Sequence, residues 1–535
     1  MLFPRKSIRN PHDGPDDGRS SSAARGSRAR PALGTVGRTL IVATAVALIA
    51  VGVVTGGQEK ASAAKPYHAP RLDWTTCSNL PPAEPGGPPR PKNLQCAKLT
   101  VPLDYAKPRG ETIQVALIRV RATDRAHRLG SLVFNFGGPG GSGIDAFSGG
   151  STASFKELGT QYDLVGFDPR GVGRSSPVTC ADDKQKDAWL AMDTSPDNAT
   201  ERAAFLAAER SLIQGCQQRS GKLLPHVGTI SAARDLDVLR ASLGERKLNY
   251  FGLSYGTSLG AVYAHLFPEK VGRAVLDGAF HPMNAERFLL KAAAFQRALG
   301  HFSRWAAQQP EVKARGLTQG AVLTRTAKLL KGLDAKPIPA DGGRELTQSI
   351  GQSGVLMALY SKDFWPVLLQ GIERAMAGDG TILLALGDSQ PQRTPDGHYT
   401  NAIDAHAAIT CADATEHFTE RDVTRVLPRF TKASPIFGPT LAWSLTACTG
   451  WPFKGDAQRA DAPSAPRILV IGTTGDPATP YPWATELARE LRVGVLLTFK
   501  GEGHTAYISG DTCVHRAVNG YLLKGNVPAY GTTCP

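Results

Sequence analysis

The stretch Gly252-Leu253-Ser254-Tyr255-Gly256 constrains this chain more than any other. A short β-like run, Lys247 to Phe251, leads into it, and a helix-like run, Thr257 to Leu266, follows. A serine on so sharp a strand-to-helix turn needs glycine two positions away on each side, because a Cβ there would collide. The helix that follows aims its first N–H groups at the space beside the serine. The spacing alone is a weak signal in a chain with 57 glycines among 535 residues, and Gly256-Thr257-Ser258-Leu259-Gly260 repeats it. Context separates the two. Ser254 stands at the strand end, whereas Ser258 falls one turn into the helix, where a small residue packs near the sheet.

Parallel-sheet rhythm surrounds this turn. Residues 131–136 read as a buried strand that runs into Gly137-Gly138-Pro139-Gly140-Gly141-Ser142-Gly143. Residues 162–167 read as a second, ending in Asp168-Pro169-Arg170-Gly171-Val172-Gly173-Arg174-Ser175. Helices are expected over 203–218 and 231–243, and a strand over 273–276. Upstream, 112–122 reads as an edge strand whose alternation slips after Leu117, through a bulge or an imperfect strand. The pattern then turns helical, over 284–308, 319–333, 354–378 and 403–413. Strand character returns at 467–472 and 494–499. These alternations predict an α/β fold with a mostly parallel central sheet and an inserted helical cap. The expected divisions are 1–64, 65–280 (first part of the core), 281–435 (the cap) and 436–535 (the rest of the core).

Residues 1–38 are polar and Arg-rich, and 39–54 are almost unbrokenly apolar, with small residues at 61–64. A disordered basic segment followed by a signal peptide cleaved near Ala63 or Ala64 fits this order, with an uncleaved membrane anchor as the alternative. The mature chain is then expected outside the cell, or at the envelope if the segment stays. Of the formal charge of +14, nine Lys/Arg against four Asp/Glu in residues 1–63 account for +5, leaving +9 elsewhere. That excess permits weak attraction to an anionic cell surface. No dense basic helix with interleaved aromatics exists to bind nucleic acid. The eight cysteines all follow residue 64, an even count that suits four disulfides in an oxidising compartment. Nearest-neighbour pairing, Cys77–Cys96, Cys180–Cys216, Cys411–Cys448 and Cys513–Cys534, is the simplest of the 105 arrangements. Cys-x-x-Cys spacing, the mark of a structural zinc site, is missing.

A serine hydroxyl needs a base within reach, and the base needs an orienting acid. Asp476 follows the strand 467–472, and His504 follows 494–499; both stand at strand C-terminal ends, where ligands of open α/β sheets bind. His515 lies in a helix-like run instead. Asp277, after 273–276, is the rival acid, with a turn at the cap entrance as its simpler role. Acyl transfer would use Ser254 as nucleophile, His504 as base and Asp476 as orienting acid. Tyr255 N–H and an N–H of Gly137 or Gly138 would hold the tetrahedral oxygen. The glycine loop lacks the spacing of a nucleotide-phosphate loop. No metal or cofactor is required.

The motifs 136–143, 168–175, 252–256, 472–477 and 503–504 together resemble those of exported actinobacterial tripeptidyl aminopeptidases. These are relatives of proline iminopeptidases among the α/β-hydrolase serine peptidases. The resemblance spans about residues 70–535. It implies an α/β-hydrolase fold, a Ser254/Asp476/His504 triad, and release of short peptides from substrates with a free N-terminus. Phe136 stands where proline iminopeptidases carry His, which weakens any transfer of proline preference. An exopeptidase must hold the α-amino group, and Asp413 and Glu502 are the candidate carboxylates, with ordinary surface roles as the alternative. A carboxylesterase using the same triad is the competing reading, and a non-catalytic binding protein on the same scaffold a third. Oligomeric state is left open.

Overall fold

The computed structural model describes residues 69–78, 80, 89–282 and 284–535. The basic segment and the apolar run within 1–64 lie outside these. Among the described residues no helix is long and apolar enough to cross a membrane.

A ten-stranded sheet organises the chain. Its strands are β1 (Thr75–Thr76), β2 (Leu94–Pro102), β3 (Thr112–Val120), β4 (Gly130–Asn135), β5 (Tyr162–Phe167), β6 (Leu248–Leu253), β7 (Val271–Asp277), β10 (Ile468–Gly475), β11 (Gly494–Glu502) and β12 (Thr533–Cys534). The order across the sheet is β1-β2-β3-β5-β4-β6-β7-β10-β11-β12. β1, β2 and β3 pair antiparallel, and β3 joins β5 antiparallel. From β5 to β12 every pairing is parallel. Helices on both faces explain why β4 and β5 are buried at every position, as their apolar runs require.

Two strand expectations change. β3 is not an edge strand, because β2 covers its outer side in unbroken register from Leu94↔Val120 to Pro102↔Thr112. No bulge accompanies the slip in alternation. Val115 to Ile118 are all buried, so both faces are covered at that point and alternation is lost for that reason. β2 follows a Pro/Gly-rich stretch, Pro81 to Pro91, which hides it in the sequence.

Between β7 and β10 most of the described residues are helical, with a small hairpin, β8 (Ile338–Pro339) with β9 (Glu345–Leu346), and irregular stretches over 390–401 and 449–467. The helix Ala285–Ala306 turns Phe295, Leu299 and Phe302 into a second core with Trp365, Leu368 and Trp443. The expected helix over 354–378 is two, Gln348–Ala358 and Trp365–Met376. The break comes where Ser361 caps a short 3-10 turn and Pro366 opens the second helix. Helical structure runs past residue 435, through Gly438–Trp443 and the turn Ser444–Cys448. The first two helices between β5 and β6, Asp183–Ala191 and Ala199–Ser220, join this layer, whereas Thr229–Ser242 packs on the sheet. Ser195 Oγ donates to Gln348 Oε1 at 2.7 Å, Arg393 pairs with Asp187 at 2.9 Å, and Phe205 packs edge-on against Trp443. The four disulfides join Cys77–Cys96, Cys180–Cys216, Cys411–Cys448 and Cys513–Cys534, the nearest-neighbour set.

Candidate active site

Ser254 joins β6 to the helix Tyr255–Leu266 with φ 56° and ψ −124°. A non-glycine residue held there costs on the order of 1–3 kcal/mol, so its surroundings must enforce it. The flanking glycines do so by close approach. A Cβ on Gly252 would lie 2.3 Å from Gly256 O, and one on Gly256 2.6 Å from Asn135 O. Ser254 N–H donates to Asp277 O at 2.9 Å, pinning the turn to the end of β7. Ser258 lies inside the helix, 5% exposed, and its Oγ donates to Gln458 Oε1 at 3.0 Å.

The glycine loop after β4 lies against this turn. A Cβ on Gly137 (φ 89°) would sit 2.7 Å from Leu253 O and 2.9 Å from Ser254 Cβ. Gly137 N–H donates to Asn135 Oδ1 at 3.0 Å. Its donor is therefore spent on shaping the loop. Gly138 N–H has no protein acceptor among the described residues. The Asp168–Ser175 motif stiffens the neighbouring loop. Asp168 accepts from Ser142 Oγ at 2.6 Å and from the N–H groups of Ile144 and Arg174, while buried Arg170 grips Asp235 through two nitrogens.

Asp476 and His504 meet at the ends of β10 and β11. His504 Nδ1 lies 2.9 Å from Asp476 Oδ2 and 3.0 Å from Oδ1. The carboxylate is 1% exposed and also accepts from Ala478 N–H, Thr479 N–H and Thr479 Oγ1 at 2.8–2.9 Å. These donors hold a buried anion in place. The His504 backbone donates to Tyr360 O at 2.7 Å, and the Tyr360 ring meets the imidazole edge-on with centroids 5.0 Å apart. The helical layer thus fixes the imidazole from above.

Asp277, the rival acid, has another task. Its carboxylate accepts from Ala506 N–H at 2.9 Å and Tyr507 N–H at 2.8 Å, so it shapes the loop after His504. Burial pushes its pKa up to about 6 against those two N–H bonds. The next residue completes a corner. A Cβ on Gly278 would meet His504 Cε1 at 3.3 Å, while Asp277 O holds Ser254 N–H. Serine turn, imidazole loop and acid loop therefore converge on Asp277–Gly278. His515 is remote from this chemistry, with Nε2 on Tyr507 O at 2.8 Å.

The two carboxylates expected to hold a substrate amine each have a protein partner. Asp413 ends the helix Ala402–Asp413 and accepts from Thr229 N–H at 2.8 Å and from Thr229 Oγ1 at 2.5 Å, at the start of the helix Thr229–Ser242. Burial raises its pKa to about 6, opposed by those Thr229 bonds. Glu502 Oε1 meets His301 Nδ1 at 2.8 Å, and Oε2 is buried against Gly475, where a Cβ would lie 2.4 Å from it. A sequence displays the carboxylate but not the donors that reach it.

Three residues of the helical layer enter the site without a sequence signal. His406 Nδ1 lies 3.2 Å from Pro139 O of the glycine loop. It keeps accessible surface, yet burial lowers its pKa, the combination expected of a side chain lining a cleft. Burial also lowers the pKa of Lys291, with Asp476 pulling the other way, and Lys291 in turn acts on His406. Burial raises the Tyr360 hydroxyl, and the Asp476 charge adds to it. Lys291 and His406 lie on separate helices and Tyr360 in the turn after a third, so only the assembled layer brings them toward the glycine loop and the Asp476–His504 pair.

Comparison with known proteins accords with this geometry. Residues 130–365 match the model of the alpha/beta hydrolase fold family, and 434–534 that of the TAP-like proteins. The chain is 37% identical over 518 residues to the serine protease Hip1 of Mycobacterium tuberculosis, covering 92% of this chain and 96% of that protein. It is 34% identical over 477 residues to the tripeptidyl aminopeptidase of Streptomyces lividans, covering 86% of each. It is also 34% identical over 485 residues to carboxylesterase B of Mycobacterium tuberculosis, covering 88% of this chain and 91% of the relative. With a parallel sheet, a strained serine turn and relatives of this identity along most of its length, the chain belongs to the α/β-hydrolase family and is a hydrolase of its TAP-like branch.

Proposed function

We propose that this protein is an exported serine exopeptidase that releases short, tripeptide-like units from free peptide N-termini through an acyl-enzyme. The observation that carries the reading is the Asp476–His504 pair, bonded at 2.9 Å and delivered to the corner that pins Ser254. Ser254 Oγ attacks the scissile carbonyl while His504 Nε2 takes its proton. Asp476 on Nδ1 fixes the tautomer and stabilises the imidazolium, which then protonates the leaving amine. Water repeats the sequence on the acyl-enzyme. The N–H groups of Tyr255 and Gly138 hold the oxyanion, and Gly137 holds the loop in shape.

The peptidase reading draws on similarity to Hip1 and the Streptomyces tripeptidyl aminopeptidase. Export draws on the apolar N-terminal run and on four disulfides, which persist in oxidising compartments. A carboxylesterase is the second reading. It is favoured by similarity to carboxylesterase B and by the bonds that Asp413 makes to Thr229 and Glu502 to His301. A tripeptide anilide, its N-acetyl derivative and a short acyl ester separate the two. The exopeptidase reading expects cleavage of the free anilide and loss of it on acetylation. Equal rates on the two anilides, or turnover confined to the ester, would remove the exopeptidase assignment.

A further inference from the structure

Where the chain leaves β7 for the helical layer, His281 faces two carboxylates of the helix Tyr481–Glu490. Glu486 and Glu490 stand four residues apart and therefore share one face of that helix, where like charges repel. Arg287 Nη2 answers Glu486 Oε1 at 3.1 Å. Among the described residues no cation hydrogen-bonds Glu490: Arg287 and Arg489 act on it only through their charge, and His281 Nδ1 is 3.8 Å from its Oε2, too far for a hydrogen bond. The imidazole is 5% exposed, and its Nε2 lies 3.1 Å from Trp483 O. An N–H must occupy Nε2 to make that bond, so the neutral ring turns the Nδ1 lone pair toward Glu490. Glu486 Oε2 stands 4.0 Å from Nε2. One ligand atom from each of the three residues lies within 4.8 Å of the others.

A backbone carbonyl holding the distal N–H of a buried imidazole is the usual outer-shell partner of a metal-ligating histidine. We propose that His281 Nδ1, Glu486 and Glu490 form a structural site for a divalent transition ion of the zinc type. One imidazole and two carboxylates match that ion's ligand preferences, with water completing the shell. Ligand atoms around an ion with bonds of about 2.1 Å stand roughly 3–3.5 Å apart. Small rotations of two half-exposed glutamates supply that contraction. Arg287 remains on Glu486 Oε1 and leaves Oε2 for the ion. The site would tie the chain entering the helical layer to the helix that follows Asp476. None of its three ligands belongs to the triad.

Titration calorimetry of the chelator-treated full chain with zinc chloride tests this, together with thermal unfolding with and without zinc. The expected result is one saturable site per chain and a higher unfolding temperature with zinc. Both effects should weaken at least about tenfold in affinity in Glu490→Gln, and vanish in His281→Ala. Glu490→Gln changes a partly exposed side chain at a helix end, so it keeps the test valid if His281→Ala does not fold. No saturable zinc binding by the wild type, or binding unchanged by Glu490→Gln, would overturn the proposal. Fluorophosphonate labelling of Ser254, followed in the same samples, reports separately on the hydrolase reading.

Discussion

A serine at φ 56° and a histidine whose Nδ1 is 2.9 Å from a buried aspartate are two individual conformations that the rest of the chain must maintain. Their consequences are measurable one residue at a time. Asp476→Asn removes the acceptor that sets the His504 tautomer, and turnover should fall by about 10⁴-fold while the fold is retained. Steady-state kinetics beside circular dichroism check this. Ser258→Ala should leave most of the turnover, since that hydroxyl bonds Gln458 inside a helix. Loss of turnover in Ser258→Ala alone would mean that the chemistry uses the second serine. At this scale the sequence was most informative where a motif coincides with a strand end. Ser254, Asp476 and His504 each follow a run whose apolar character marks a strand of the parallel sheet. Lys291, Tyr360 and His406 have no such marker, because their place depends on how separate helices pack.

Asp413 links two elements. Its carboxylate joins the end of the helix Ala402–Asp413 to the first N–H and hydroxyl of the helix Thr229–Ser242. Asp413→Ala leaves the Thr229 N–H without its acceptor, while the hydroxyl keeps the Tyr255 hydroxyl at 2.6 Å, and should destabilise the protein by about 1–3 kcal/mol in chemical denaturation. The ratio of rates on free and N-blocked substrates should not change. A changed ratio with unchanged stability would instead return Asp413 to substrate binding. Elements were legible from periodicity when one face was buried, as in the helix Ala285–Ala306 with its buried Phe295, Leu299 and Phe302. They were obscured where burial is two-sided, as at Val115 to Ile118 of β3. The break between Ala358 and Trp365 was also hidden, because the flanking helices are both apolar and only Pro366 marks the restart.

For the whole molecule, several buried acids make stability depend on pH. Burial raises Asp168, Asp277 and Asp413 to about 6 and Glu209 to about 7, above the ordinary values of 3.8 and 4.5. Between about pH 4 and 7 the native state therefore holds more protons than the unfolded chain, and stability falls as pH rises through that window. Glu209, 6% exposed on the helix Ala199–Ser220, contributes most simply. Glu209→Gln should raise stability at pH 8 by on the order of 2 kcal/mol and change little at pH 4. Denaturant midpoints at the two pH values check the sign. The α/β layering was readable from the alternation of strands and helices. The two-part origin of the helical layer was not, since the ties from residues 183–220 to the later helices, such as Asp187 with Arg393, join segments some two hundred positions apart.

Reaction with a fluorophosphonate, followed by intact mass and peptide mapping, bears most directly on the nucleophile. The expected result is one adduct per chain, on Ser254, formed at a rate that collapses in His504→Ala. An adduct on another serine, or labelling of Ser254 as fast without the imidazole as with it, would contradict activation of Ser254 by the His504–Asp476 pair.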